Sequence, residues 1–218
     1  MADRSEDEQL DVIKRWWKEN GMSLIAGAAL AAAGVFGWNA WQDYQADKSQ
    51  AASVRYQELV SMVTGDELEG DQLSDAREMV DEIVTEHDDS LYAELALLLD
   101  ARLAVQQDDL ESATESLTQV AESSSRRYVQ SLAWLRLARI AVANDDPERA
   151  LELLDEPITE ALAAQQANVR GDAHRALGDN DAARDAWQNA LELAQQQDQP
   201  LYGVQFKLDD LGAKETAQ

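Results

Sequence analysis

The reactive inventory of this chain is short. It holds two histidines, His87 in an acidic turn and His174 inside a helical run, and no cysteine. Neither histidine has the spacing of a zinc site, and without cysteine both thiolate chemistry and disulfides fall away. His87 reads as a surface histidine, and His174 as a core one at a helix position that a packing ring normally fills. The acid pairs Asp88–Asp89 and Asp145–Asp146 sit in turns, where a carboxylate that accepts backbone N–H groups at a helix start explains them better than acid–base chemistry does. No glycine-rich phosphate loop follows a strand. The expectation is a chain with no catalytic residue, no cofactor and no metal, one that binds and is not an enzyme.

The elements that carry these residues are helices nearly throughout. Ala, Leu, Glu, Gln, Asp and Arg dominate, prolines are confined to Pro147, Pro157 and Pro200, and no alternating strand pattern is bounded by hairpin turns. Polar turns recur at 65–71, 88–90, 107–109, 123–125, 144–147 and 178–181. Short helices joined by short turns imply an array. In its last unit Gly171, Gly178, Ala183, Trp187 and Ala190 fall at offsets 0, 7, 12, 16 and 19, which is tetratricopeptide spacing. Thirty-three residues upstream, Trp134, Leu137, Ala138, Ala141, Ala150 and Leu154 take the equivalent large and small positions, with Asp145 at the turn. Thirty-seven further up, Leu97, Ala101, Ala104, Asp108, Ala113 and Leu117 repeat them more loosely. Small residues let paired helices approach and large ones fill the space between pairs, so each pair is buried only by stacking. Ahead of the array a helix over 43–63 turns Tyr56, Leu59, Val60 and Val63 toward it. Behind it, residues 200–211 read as a cap with Leu201, Val204 and Leu208 on one face.

One segment has another character. Asn20 to Gln42 is twenty-three residues without a charge, flanked by Trp16, Trp17, Trp38, Trp41 and Tyr44. At ~1.5 Å per residue, the stretch from Met22 to Trp41 spans about 30 Å, the hydrocarbon thickness of a bilayer. Indoles at both ends suit the headgroup levels. A cleaved signal peptide is the alternative, but the run exceeds the ~7–15 residues of an h-region. Six acids lie among the residues before it, and tryptophans stand where a cleavage site is expected. The run is read as one retained transmembrane helix. Lys14, Arg15 and Lys18 precede it while the first base after it is Lys48, which places the N-terminus in the cytoplasm and residues 43–218 outside. Gly27, Ala31 and Gly34 share one face, a shallow groove that either belongs to a plain small-residue anchor or lets a partner helix dock.

The expected organisation is an acidic tail over 1–19 with juxtamembrane bases, a membrane helix over 20–42 and an all-α, tetratricopeptide-like domain over 43–218. The formal net charge is −25, of which −23 falls on residues 43–218. Such a surface repels nucleic acid and anionic lipid. The acids are scattered along helices, which fits solubility or adaptation to salt better than a site for basic ligands.

The run Asp11-Val-Ile-Lys-Arg-Trp-Trp-Lys-Glu-Asn-Gly-Met-Ser-Leu-Ile-Ala-Gly27 resembles the YfgM family, the ancillary subunit of the bacterial Sec translocon. So do Gly37-Trp-Asn-Ala-Trp-Gln42, the Ala-Ser-x-x-Tyr stretch ending at Tyr56, and Gly178-Asp-x-x-x-Ala-Arg-x-Ala-Trp187. The resemblance implies a single-pass inner-membrane protein of Gram-negative bacteria with a periplasmic repeat domain. It implies association with the Sec channel and the membrane-anchored isomerase PpiD, help for exported polypeptides on their way to periplasmic chaperones, and a link to envelope stress through a cytoplasmic response regulator. It carries over no catalytic residue. A membrane-anchored repeat scaffold for envelope assembly, division or stress signalling is the other reading that these features allow.

Overall fold

The computed structural model describes residues 3–64, 68 and 70–216, with side chains for 14–27, 29–64, 68 and 70–212. The acids expected to form the tail before Lys14 and most of the 65–71 turn lie outside the described side chains. Helix α1 runs from Asp3 to Val63. It is followed by α2 (Asp71–Glu86), α3 (Leu91–Gln106), α4 (Leu110–Ser123), α5 (Arg127–Ala143) and α6 (Pro147–Leu153). A 3₁₀ turn (Glu160–Leu162), α7 (Ala163–Ala176), α8 (Asn180–Gln196) and α9 (Val204–Thr216) complete the order. There is no strand among the described residues. The chain divides into two units, Met1–Ala51 and Ala52–Gln218.

In the first unit every described side chain from Met22 to Trp41 is exposed, including Met22 at 80% and Phe36 at 73%. An uncovered apolar stretch is strongly unfavourable in water at ~25 cal/mol per Å², and the length and composition of this one suit a membrane span. This is the one candidate membrane span among the described residues.

The second unit is a succession of helices, each packed on the next. Leu59 and Val63 from the end of α1 join Ala76, Val80 and Ile83 of α2 and Ala96 and Leu103 of α3 in one cluster, with Met62 at its edge. Val60, expected on that face, is only half-buried. The larger cluster runs from α3 to α7 and holds Leu117, Leu135, Leu154 and Val169. The third joins Ala183 and Trp187 of α8 to Val204 and Leu211 of α9, with Leu201 and Leu208 half-buried beside them. The cap is therefore present, but as a helix that begins at Val204, after Pro200 and the left-handed Gly203 (φ 84°).

Three interhelical turns share one construction. Asp108 (φ 59°), Asp145 (φ 62°) and Gly178 (φ 81°) take the left-handed conformation, and the residue after each returns its N–H to a carbonyl five back. These bonds are Asp109 to Ala104 at 2.9 Å, Asp146 to Ala141 at 2.9 Å and Asp179 to His174 at 3.0 Å. That is the closure by which a helix end satisfies its last carbonyls. The same residue then starts the next helix: the carboxylates of Asp109, Asp146 and Asp179 accept the N–H of Ser112 (3.1 Å), Arg149 (3.1 Å) and Ala182 (3.0 Å).

Capping thus accounts for Asp145–Asp146, one residue taking the turn and the other the cap. For Asp88–Asp89 the assignment moves, because Ser90 caps α3 by accepting the Ala93 N–H at 3.1 Å. The histidines exchange roles. His87 ends α2 and is buried (8% exposed), while His174 is half-exposed. The turn that closes α2 swings His87 inward, and the ring expected at the site of His174 is not needed there, because α7 packs with small residues.

Candidate functional site

Two sets of side chains were singled out from sequence, and each lies within one unit. On α1, an added Cβ at Gly27 or Gly34 meets nothing within 4 Å, and Ala31 between them is exposed. Four and then three residues apart, the three lie on one face, so a helix backbone can come close along it. Elsewhere on the helix the Trp17 indole covers Gly21, whose added Cβ would lie 3.2 Å from Trp17 Cε2. Asn20 donates to the Trp16 carbonyl at 3.1 Å, and the Trp38 and Trp41 rings sit 5.1 Å apart.

In the second unit Ala138, Ala150, Leu154, Ala183 and Ala190 are fully buried. Gly171 is buried, Trp187 is 3% exposed, and Gly178 is exposed at its turn. Trp134 is half-buried at the rim of a space of about 290 Å³ between α4, α5 and α6. The structure brings Gly171 and Trp187 together, since the indole lies against α7 where Gly171 lacks a side chain. Leu154 departs from its expected place within a helix. It follows α6, which stops at Leu153 because the position equivalent to Ala190 holds Pro157, whose ring and missing N–H do not continue a helix. The loop so formed is tied down by Ser131, whose Oγ donates to the Arg127 carbonyl (2.7 Å) and accepts the Thr159 N–H (3.0 Å).

The last joint of the array has a polar latch that sequence reasoning missed. Trp187 Nε1 donates to Asn168 O at 3.2 Å and to Asp172 Oδ1 at 3.1 Å. Lys207 of α9 donates to the same Asp172 carboxylate and to Asn168 Oδ1 at 2.9 Å, with its ammonium 5.6 Å from the Trp187 ring centre. Three helices meet there. A basic residue three after Val204, itself fully buried, was the available signal.

A family profile described as a tetratricopeptide repeat-like domain matches residues 14–213, taking in the uncharged run as well as the repeats. The chain is 31% identical to the ancillary SecYEG translocon subunit of Haemophilus influenzae over 94% of its own length and 97% of the relative's. It belongs to that family. It is also similar to the ancillary SecYEG translocon subunit of Escherichia coli, at 33% identity over 86% of this chain and 88% of the relative. The one of Aggregatibacter actinomycetemcomitans matches at 35% over 46% of this chain and 47% of the relative. No solved structure matches. The resemblance carried by the tryptophan-rich lead-in and the last repeat thus extends over nearly the whole chain, and no group of three or more metal-binding side chains occurs among the described residues.

Proposed function

We propose that this chain is a non-catalytic, membrane-anchored adaptor of the Sec translocon. It crosses the inner membrane once, with its N-terminus in the cytoplasm and its repeat domain in the periplasm, and it assists newly exported polypeptides toward periplasmic chaperones. The observation that carries this reading is a match to ancillary SecYEG translocon subunits that covers membrane helix and repeats together. A shared repeat alone would speak only for a fold.

The bases Lys14, Arg15 and Lys18 support the orientation. The open face of Gly27, Ala31 and Gly34 supports docking of the membrane helix on a helix of the channel complex. A PpiD-like isomerase and exported polypeptides are the partners proposed for the periplasmic side, and a response regulator for the cytoplasmic tail. The test is affinity purification of the tagged full chain from detergent-solubilised membranes. Recovery of the channel subunits supports the adaptor; their absence, with the chain intact and folded, sinks it. Gly27→Leu with Gly34→Leu is expected to lose the channel while the repeat domain melts as before, and unchanged recovery removes the membrane face from the reading.

A further inference from the structure

Arginines crowd one groove of a chain that has 18 bases against 43 acids. The groove, about 460 Å³, lies between α3, α4 and α5, with Val105, Leu110 and Ile140 on its apolar wall and Arg102, Arg136 and Arg139 around it. Among the described residues, no carboxylate reaches ion-pair distance of these three, whereas Arg55, Arg126 and Arg170 each have one within 3.0 Å. Arg136 spends one N–H on the Leu98 carbonyl at 3.1 Å. Partial desolvation lowers the Arg136 guanidinium pKa, and repulsion from Arg139 and, more weakly, Arg102 lowers it further. Desolvation lowers that of Arg139 too, with Asp172 pulling the other way. An arginine stays charged in any protein, so three positive charges lie along one apolar wall with no described carboxylate in ion-pair contact, and the attraction of Asp172 reaches Arg139 from further off.

The repeat explains how far the cluster extends. Arg102 and Arg139 hold the same repeat position, 37 residues apart, and the next such position, 33 residues on, is Asp172. That carboxylate is already engaged by Lys207 and Trp187. The cationic groove is therefore two repeats long.

We propose that it binds a short acidic polypeptide segment, with carboxylates on Arg102 and Arg139 and an apolar side chain against Val105 and Ile140. Bidentate carboxylate recognition is what a guanidinium does best. The charge of −23 on residues 43–218 repels an extended polyanion such as a nucleic acid or an anionic bilayer. A short segment in the groove feels chiefly the charges within a Debye length of about 8 Å. This deepens the adaptor reading by giving partner chemistry, but it rests on the groove and not on the channel.

The full chain in detergent is titrated into a fluorescent, C-terminally amidated peptide of Asp, Glu, Leu and Phe, and anisotropy is read. The side chains of Arg102 and Arg139 are exposed, so R102E and R139E are the variants. Each is expected to weaken binding about tenfold or more, with R139K retaining part and added salt weakening the parent. Should a charge reversal disturb the melt, R102Q and R139Q replace it. Equal binding by the variants, equal binding of an Asn/Gln peptide, or displacement by phosphatidylglycerol vesicles but not by excess unlabelled peptide overturns the proposal. Loss of channel co-purification leaves this assay intact, so the two readings fail separately.

Discussion

A Cβ built on Gly171 would lie 2.4 Å from Cδ1 and Nε1 of Trp187. The indole occupies the space that an alanine methyl would take, and its N–H reaches past that gap to the carbonyl of Asn168 and the carboxylate of Asp172. In the two upstream units the equivalent positions hold Ala138 with Leu154 and Ala101 with Leu117, all buried. One methyl more on the first helix accompanies a smaller side chain on the second, as a densely packed joint requires.

Gly171→Ala should therefore destabilise the repeat domain by about 1–3 kcal/mol through overpacking, since the ring is wedged among three helices. Adding Trp187→Leu to it rebuilds the Ala–Leu pair of the other units. The double variant should be more stable than the sum of the two single effects, by about 0.5–3 kcal/mol. Urea unfolding of the full chain in detergent measures this cycle, and strict additivity would count against the joint as described.

The left-handed turn residues make a second case. Gly178→Ala should cost about 1 kcal/mol from the backbone alone, because nothing lies within 4 Å of the added Cβ. Asp145→Gly should stay within about 0.5 kcal/mol of the parent, since relief of the left-handed strain is offset by the greater freedom of glycine in the unfolded chain. Thermal melts of both variants would show the asymmetry.

Asp109 ties the start of α4 to pH. The Ser112 hydroxyl and then the Ser112 N–H hold its carboxyl pKa below the usual range, with Arg77 adding to them. A depressed folded-state pKa means stability that is fully present above the unfolded value and is lost as pH falls through the folded one. Acid below the ordinary aspartate pKa should loosen α4, read as faster amide exchange over 110–116 than the intrinsic rate at that pH predicts. Asp109→Asn keeps an acceptor for the N–H without the titration, so its exchange should respond less to acid in that range.

Lys207→Ala removes the ammonium that joins α9 to Asp172 and Asn168. Limited proteolysis should then cut in the 197–203 segment several-fold faster, with the α3–α5 helices as resistant as before. Equal cleavage rates would mean that Val204 and Leu211 alone hold α9.

The array was legible because its packing rule is a rule about side-chain size. Gly171, Ala183, Trp187 and Ala190 state it in one unit, and Ala138, Ala150 and Leu154 repeat it 33 residues earlier. The membrane run was legible from the absence of charge. Less visible was what depends on partners distant in sequence: His87 turned inward by the end of α2, α6 cut short by Pro157, and the Lys207 latch across 35 residues to Asp172. Arg102 and Arg139 stand in register 37 residues apart, but the acids scattered along the helices mask a local excess of the opposite sign.

Of the six tryptophans, four lie exposed on the lipid-matched helix and Trp134 is half-buried, which leaves Trp187 as the one sealed inside protein. The chain thereby carries its own optical gauge. Emission from that indole, isolated by replacing the other five tryptophans with phenylalanine, follows the opening of the α7–α8–α9 joint with no added label, even while the protein sits in a membrane.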